Sequence, residues 1–128
     1  MLDQPSDYKP PESREELLRR YTSGERSFPN TDLSDVDFSG VTLDSASFEE
    51  LSWFFSGIFD RASLRGTSFR GCNLKCASFR QADLTGASFE FAAIDAADFN
   101  GATLDDVSFV GATAYGCSVQ HGDPWPPH

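Results

Sequence analysis

The residue types that most often perform catalysis are few in this chain and poorly placed for it. The two histidines are His121 and His128 near the C-terminal end, so neither a Ser-His-Asp nor a Cys-His arrangement can be assembled inside the rest of the chain. Acid pairs occur at Glu49-Glu50 and Asp105-Asp106. We expect both pairs on a surface, away from any deep pocket that would raise a carboxyl pKa. The sequence therefore predicts no catalytic residue and no enzyme activity.

The cysteines also argue against metal or redox chemistry. Cys72 and Cys117 occupy positions that face inward in the repeat described below, whereas Cys76 faces outward. An odd number of thiols, two of them in core positions, indicates packing rather than disulfides or metal ligands, and zinc-type spacings and glycine-rich phosphate loops are absent from the sequence. We predict no cofactor and no metal. Free thiols and the lack of a signal-peptide pattern at residues 1–11 favour the cytoplasm.

A strict five-residue repeat would have to position any functional side chain. Between Ala62 and Phe109 a large apolar residue, here called the centre, occupies every fifth place, as in Ala62-Ser63-Leu64-Arg65-Gly66. A small residue stands two places before each centre, and a short polar residue separates them, except at Ala93. Neither a helix, with a period of about 3.6, nor a strand, with a period of 2, repeats in this way.

This pattern resembles the pentapeptide-repeat family over roughly residues 29–120. The resemblance implies an all-β solenoid, a right-handed quadrilateral (four-sided) parallel β-helix in which five residues form one side and twenty form one coil. It also implies that the centre and the small residue before it face inward, while the other three residues face outward. Short chains of this type with an N-terminal helix resemble bacterial, and particularly cyanobacterial, members.

Positions twenty apart then stack on the same side of neighbouring coils. Phenylalanine fills two of the four stacks of centres, which predicts two facing ladders of rings: Phe48, Phe69, Phe89, Phe109 and Phe38, Phe59, Phe79, Phe99. The centres Phe48 and Phe54 are six residues apart, so one extra residue lies near Glu49 to Ser52 and we expect a bulge there. Seven of the ten glycines stand two places after a centre, where the chain has to turn.

The segment ahead of the repeats carries helix signals. Ser13-Arg14-Glu15-Glu16 has the spacing of a capping box, Leu17, Leu18 and Tyr21 follow at helical spacing, and Gly24 follows them. We predict a short helix that covers the open end of the solenoid. The resulting organisation is an N-terminal tail and capping helix at 1–27, the β-helix at 28–120 and a proline-rich C-terminal tail at 121–128.

Charge sets limits on the partner. The net charge is −10, which predicts no direct contact with nucleic acid, and no apolar run is long enough for a membrane span. The quinolone-resistance branch of the family resembles B-form DNA and binds DNA gyrase or topoisomerase IV, so a DNA mimic is one hypothesis. Seven acids without a base at 31–60 agree with it. Between Arg61 and Arg80, however, five bases interrupt the acidic surface. Except for Arg61, we expect each to pair with an acid on a neighbouring coil: Arg65 with Asp44, Arg70 with Glu90 and Glu49, Lys75 with Asp95, and Arg80 with Asp60.

The most specific functional indication is apolar. In the frame that resumes at Phe54, the outward positions include Trp53, Phe55 and Ile58, where the family pattern has polar residues. Outward apolar clusters often mark an interface, although the N-terminal segment could instead cover them or a bulge could turn Trp53 inward. We therefore predict a non-catalytic protein-interaction scaffold, monomeric or homodimeric, with an unidentified protein partner and the DNA mimic as the alternative.

Overall fold

The computed structural model describes residues 8–116, which form one short helix followed by a four-sided right-handed β-helix. The helix, α1 (Arg14–Thr22), begins where expected: the Ser13 hydroxyl accepts a hydrogen bond of 3.0 Å from the backbone N–H of Glu16. Glu16 reaches back to the N–H of Glu12, one residue earlier than a capping box requires. The helix ends before Gly24, whose φ of 107° is accessible to glycine.

Helix α1 covers the N-terminal end of the solenoid. Leu17 is fully buried in the common core, and Leu18 and Tyr21 pack against that core. The Tyr21 hydroxyl donates a hydrogen bond of 2.8 Å to the carbonyl of Asp44 on the first coil. The predicted capping role of the helix is therefore confirmed.

Four ladders of parallel bridges define the four sides of the β-helix, and each coil contributes one bridging residue to each ladder. Among the described residues these bridges are isolated, so no longer strand forms. In chain order, the ladders are as follows: on the first side Ser27, Ser47, Ser68, Ser88 and Ser108; on the second Asp32, Trp53, Asn73, Ala93 and Thr113; on the third Asp37, Ile58, Ser78 and Asp98; on the fourth Thr42, Ser63, Asp83 and Thr103.

Ser47 bridges Ser68, 21 residues later, whereas Trp53 bridges Asn73, 20 residues later. The extra residue therefore lies between Ser47 and Trp53. The structure places it in the corner, where a three-residue turn at 49–51 replaces the two-residue turn found elsewhere. A corner absorbs the insertion without breaking a ladder, so the expected bulge in the strand does not form. Both neighbouring bridges, Asp32 to Trp53 and Trp53 to Asn73, remain intact.

Phenylalanine rings fill the bore in two facing ladders, as predicted. On the third side the stacked rings from Phe38 to Phe99 lie 5.0 to 5.1 Å apart with planes within 8° of each other. On the first side the rings from Phe28 to Phe109 stack at 5.3 to 5.9 Å. Rings of the two ladders meet edge to face, for example Phe79 and Phe89 at 5.5 Å. Every phenylalanine centre from Phe28 to Phe99 is essentially excluded from solvent.

The corners require a left-handed residue two places after nearly every centre. The carbonyl of each centre from Phe54 to Phe109 accepts a hydrogen bond from the backbone N–H three places later, for example Phe59 from Ala62 at 3.1 Å, and Arg61 between them has a φ of 59°. A positive φ at this position is typical of a type II turn and favours glycine. Gly66, Gly71 and Gly86 occupy it as predicted, yet eleven non-glycine residues also adopt a positive φ, because pairing between coils fixes the backbone.

Candidate protein-interaction face

Among residues 8–116, the large hydrophobic side chains that are exposed share one side of the rod. All six lie on the second side or on its two flanking corners, a surface that we call the apolar face: Leu51, Trp53, Phe55, Phe91, Val110 and Tyr115. Their exposed fractions range from 40% for Phe55 to 83% for Tyr115. Solvent exposure of this many large apolar groups on one side is unusual for a polar solenoid surface.

The three predicted patch residues do not share a side. Trp53 is the bridging residue of the second side and is 49% exposed, and Phe55 lies on the adjoining corner and is 40% exposed. Ile58 lies on the third side, beyond the corner at Ser56, and is half-buried. The structure therefore groups Trp53 and Phe55 and separates Ile58 from them.

Sequence reasoning missed the C-terminal half of the apolar face. Phe91, Val110 and Tyr115 occupy turn positions, whereas the predicted patch depends mainly on the residue just before each centre. Ala93, which was noted as an exception to the polar pattern, lies on the same side between Trp53 and Thr113. Testing all three outward positions of each repeat would have located these residues.

One charged contact supports the ring of Phe91. The guanidinium carbon of Arg70 lies 4.7 Å from the centroid of this ring, a cation–π distance. The other edge of the ring lies over Gly111, where a side-chain methyl group would overlap it. The ring is therefore held in place although it is 57% exposed.

Four of the five bases between Arg61 and Arg80 pair with acids of the following coil. Arg65 reaches Asp83 at 2.9 Å, Arg70 reaches Glu90 at 3.0 Å, Lys75 reaches Asp95 at 4.0 Å and Arg80 reaches Asp98 at 3.5 Å. The expected pairs Arg70–Glu90 and Lys75–Asp95 are confirmed.

The expected side-chain pairs of Arg80 with Asp60, Arg65 with Asp44 and Arg70 with Glu49 are wrong. Acids of the preceding coil are already engaged: Asp44 accepts hydrogen bonds from the Ser63 hydroxyl at 2.6 Å and from the Arg65 backbone N–H at 2.9 Å. Asp60 accepts from the Ser78 hydroxyl and the Arg80 backbone N–H, and Glu49 accepts from the Ser68 hydroxyl.

The two cysteines of residues 8–116 differ in burial. Cys72 is buried, its Sγ lies 3.2 Å from the Phe48 carbonyl oxygen, and burial raises the pKa of its thiol to about 12. Cys76 is exposed, as predicted. Hydrogen bonds from Thr85 and then Arg65 lower the pKa of Asp83. Cys117, His121, Trp125 and His128 lie outside the described residues.

Residues 8–116 contain no group of three or more His, Cys, Asp or Glu side chains arranged to hold a metal ion. No helix in this range has the length and apolar character that crossing a bilayer requires.

Comparison with known proteins agrees with this architecture. Residues 62–101 match the family model for pentapeptide repeats in eight copies. The fold is similar to a pentapeptide-repeat protein (Rfr23) of the cyanobacterium Cyanothece 51142, with a TM-score of 0.69 and 22% identity over 72% of this chain and 63% of that one. It is also similar to the pentapeptide-repeat protein alr5209 from Nostoc Pcc 7120, with a TM-score of 0.64 and 21% identity over 88% of this chain and 100% of that one.

A third similar structure is QnrB1, a plasmid-mediated fluoroquinolone resistance protein, with a TM-score of 0.58 and 22% identity over 73% of this chain and 61% of that one. This chain thus spans less than two thirds of Rfr23 and of QnrB1. At these identities the likeness concerns the fold. A search of curated protein sequences found no match.

Proposed function

We propose that this pentapeptide-repeat protein is a non-catalytic scaffold that binds another protein through the apolar face of its rod. The observation that carries the proposal is the location of the six exposed large hydrophobic side chains of the described residues on one side and its corners. Two of them, Trp53 and Phe55, are aromatic residues of the kind enriched in the centres of interfaces. The proposal places the protein in the cytoplasm, with no direct contact to nucleic acid or membrane.

The rigidity of the rod supports this role. The rings in the bore and the hydrogen bonds between coils hold the outward side chains in register, so the face pays little ordering entropy when it binds. Arg65 and Arg80, on the other sides of the middle coils, are engaged in ion pairs between coils with Asp83 and Asp98. Such a surface offers a contact area rather than a reaction site.

Site-specific photocrosslinking in the cells that make the protein tests the proposal. A photoreactive phenylalanine analogue replaces Trp53 in one variant and Thr103, on the opposite fourth side, in a matched control. We expect a covalent protein adduct from position 53 and none from position 103. Equal adducts from both positions, or none from either, would overturn the assignment of the apolar face.

A topoisomerase-binding DNA mimic is the second candidate, and the acidic excess favours it. Residues 31–60 carry seven acids and no lysine or arginine, which suits a basic DNA-binding groove. Against it stands the belt of ion pairs from Arg65 to Asp98, which neutralises the middle coils. Inhibition of gyrase supercoiling by the purified protein, lost on neutralising Asp32, Asp35 and Asp37, would favour the mimic over the scaffold.

A further inference from the structure

The apolar face has an order along the rod that makes it complementary to itself. Four successive coils contribute rows of three positions: Leu51, Trp53 and Phe55; then Gly71, Asn73 and Lys75; then Phe91, Ala93 and Asp95; then Gly111, Thr113 and Tyr115. Glu50, Arg70, Glu90 and Val110 flank the four rows on the corner shared with the first side. A row with cations thus lies next to a row with anions, and apolar rows lie outside both.

A second copy can be related to the first by a two-fold axis that lies in the plane of this face. The axis is perpendicular to the rod and runs between the cationic and anionic rows, so it pairs these rows favourably. The rotation reverses the order of the coils but keeps each residue at the same lateral position. Lys75 then faces Asp95 of the second copy, and Arg70 faces Glu90 of the second copy. By symmetry each of these contacts occurs twice.

The same rotation brings the two outer apolar rows together. Phe55 faces Tyr115 of the second copy. At the other corner Leu51 faces Gly111 of the second copy, and Glu50 faces Val110 of the second copy. Between them the indole of Trp53 faces the short side chain of Thr113 of the second copy. In the inner rows the ring of Phe91 faces Gly71, which has no side chain and lies beside the stem of Glu50. The aromatic side chains thus meet small or apolar groups, whereas Val110 meets Glu50.

We infer that the apolar face binds a second copy of this chain, with the two rods antiparallel. This inference rests on the proposed function, because it identifies the occupant of the same face. Two chains that each carry a net charge of −10 repel one another over most of their surface. Within the four rows, by contrast, Arg70 and Lys75 offset two of the three acids Glu50, Glu90 and Asp95, so this part of the surface is where a second acidic rod can approach.

The area of the face suits a dimer. Trp53, Phe55, Phe91 and Tyr115 are 49%, 40%, 57% and 83% exposed, and an aromatic side chain presents about 150–250 Å² in total, so these four expose on the order of 450 Å². A stable interface buries about 800 Å² on each partner. The leucine, the valine and the charged rows between them supply the remainder.

Sedimentation equilibrium over a range of concentrations tests the inference with paired charge reversals. We expect the wild type to dimerise. Lys75→Asp places two acids opposite each other at both symmetric contacts, and Asp95→Lys places two bases there. Each single variant should weaken the dimer about tenfold or more. A mixture of the two variants restores both pairings as a heterodimer, and the double variant restores them in a homodimer.

Arg65→Asp is the matched control, since it reverses one partner of a similar ion pair, Arg65–Asp83, outside the apolar face. It should leave dimerisation unchanged, and thermal unfolding of each variant should check that the rod remains intact. A wild type that stays monomeric, a mixture that fails to recover, or an equal effect of Arg65→Asp would overturn the inference. A monomer that dimerises only with Trp125→Ser would make the C-terminal segment the occupant.

Failure of this inference and failure of the proposed function are distinguishable. A monomeric wild type whose position 53 still crosslinks to a foreign protein removes the second copy but leaves the scaffold proposal standing. A monomeric wild type with no adduct at position 53 removes both.

Discussion

Removing one ring from the middle of the bore should destabilise the whole rod. Phe79 is fully buried and stacks on Phe59 at 5.1 Å and on Phe99 at 5.0 Å, with planes 6° and 4° apart. It also meets Phe69 edge to face at 6.0 Å and Phe89 at 5.5 Å. Phe79→Ala therefore deletes four ring contacts and leaves a cavity inside a closed wall.

The magnitude follows from these contacts. Replacing a buried phenylalanine by alanine costs about 3–5 kcal/mol, and the cost grows when the surroundings cannot collapse. Four favourable ring geometries, each contributing about 0.5–1.5 kcal/mol beyond area burial, put Phe79→Ala near the upper end, at about 5 kcal/mol. Because a domain is stable by about 5–15 kcal/mol, this variant should lose much of its free energy of unfolding.

Equilibrium urea unfolding, followed by far-UV circular dichroism, measures this loss. Phe91→Ala is the matched control, since it removes the same side chain from a site that is 57% exposed. We expect the control to lose about 1 kcal/mol or less of its free energy of unfolding. A loss below about 1.5 kcal/mol for Phe79→Ala, or equal losses in the two variants, would refute the packed-bore account.

Three further predictions concern the cap, the corners and the buried thiol. Ser13→Ala should lower the free energy of unfolding by about 1 kcal/mol in the same urea assay, because it removes the hydroxyl that caps α1; no change would mean that the cap is dispensable. Gly111→Ala should lower the thermal midpoint more than Gly40→Ala, because both have a positive φ but only the first methyl group meets a ring; equal shifts would contradict that contact. Burial raises the pKa of the Cys72 thiol from 9.0 to about 12, so its contribution to stability is complete below pH 9 and falls as the pH rises towards 12. At pH 9 we expect iodoacetamide to modify the exposed Cys76 and to spare Cys72, as read by peptide mass spectrometry; equal labelling would contradict its burial.

The five-residue frame predicted most of the fold, because one spacing fixes which side chains face inward. Phenylalanine fills every second centre, as at Phe69 and Phe79, which predicts two facing ladders of rings. The structure contains them. The cap was readable from Ser13 and the apolar residues after it, because helix signals are local. The site of the insertion was also readable, from the six-residue step between Phe48 and Phe54.

What the frame left open depends on contacts between coils. It led to the expectation of a bulge in a strand where the structure has a longer corner, since both keep the centres in register. It misassigned the partner of Arg80, because the nearer acid is already held by a serine hydroxyl and a backbone amide. It found Trp53 and Phe55 but not Tyr115, because turn residues of distant repeats share a face only once the corners are folded.

Acrylamide quenching of Trp53 fluorescence would test most directly the claim that a second copy covers the apolar face. A Trp125→Phe variant leaves Trp53 as the single tryptophan, and the measurement compares dilute with concentrated protein. We predict that quenching falls and emission shifts to shorter wavelength as concentration rises, and that Lys75→Asp abolishes both changes. Quenching that stays high at every concentration would contradict the claim, because the indole would then remain open to solvent.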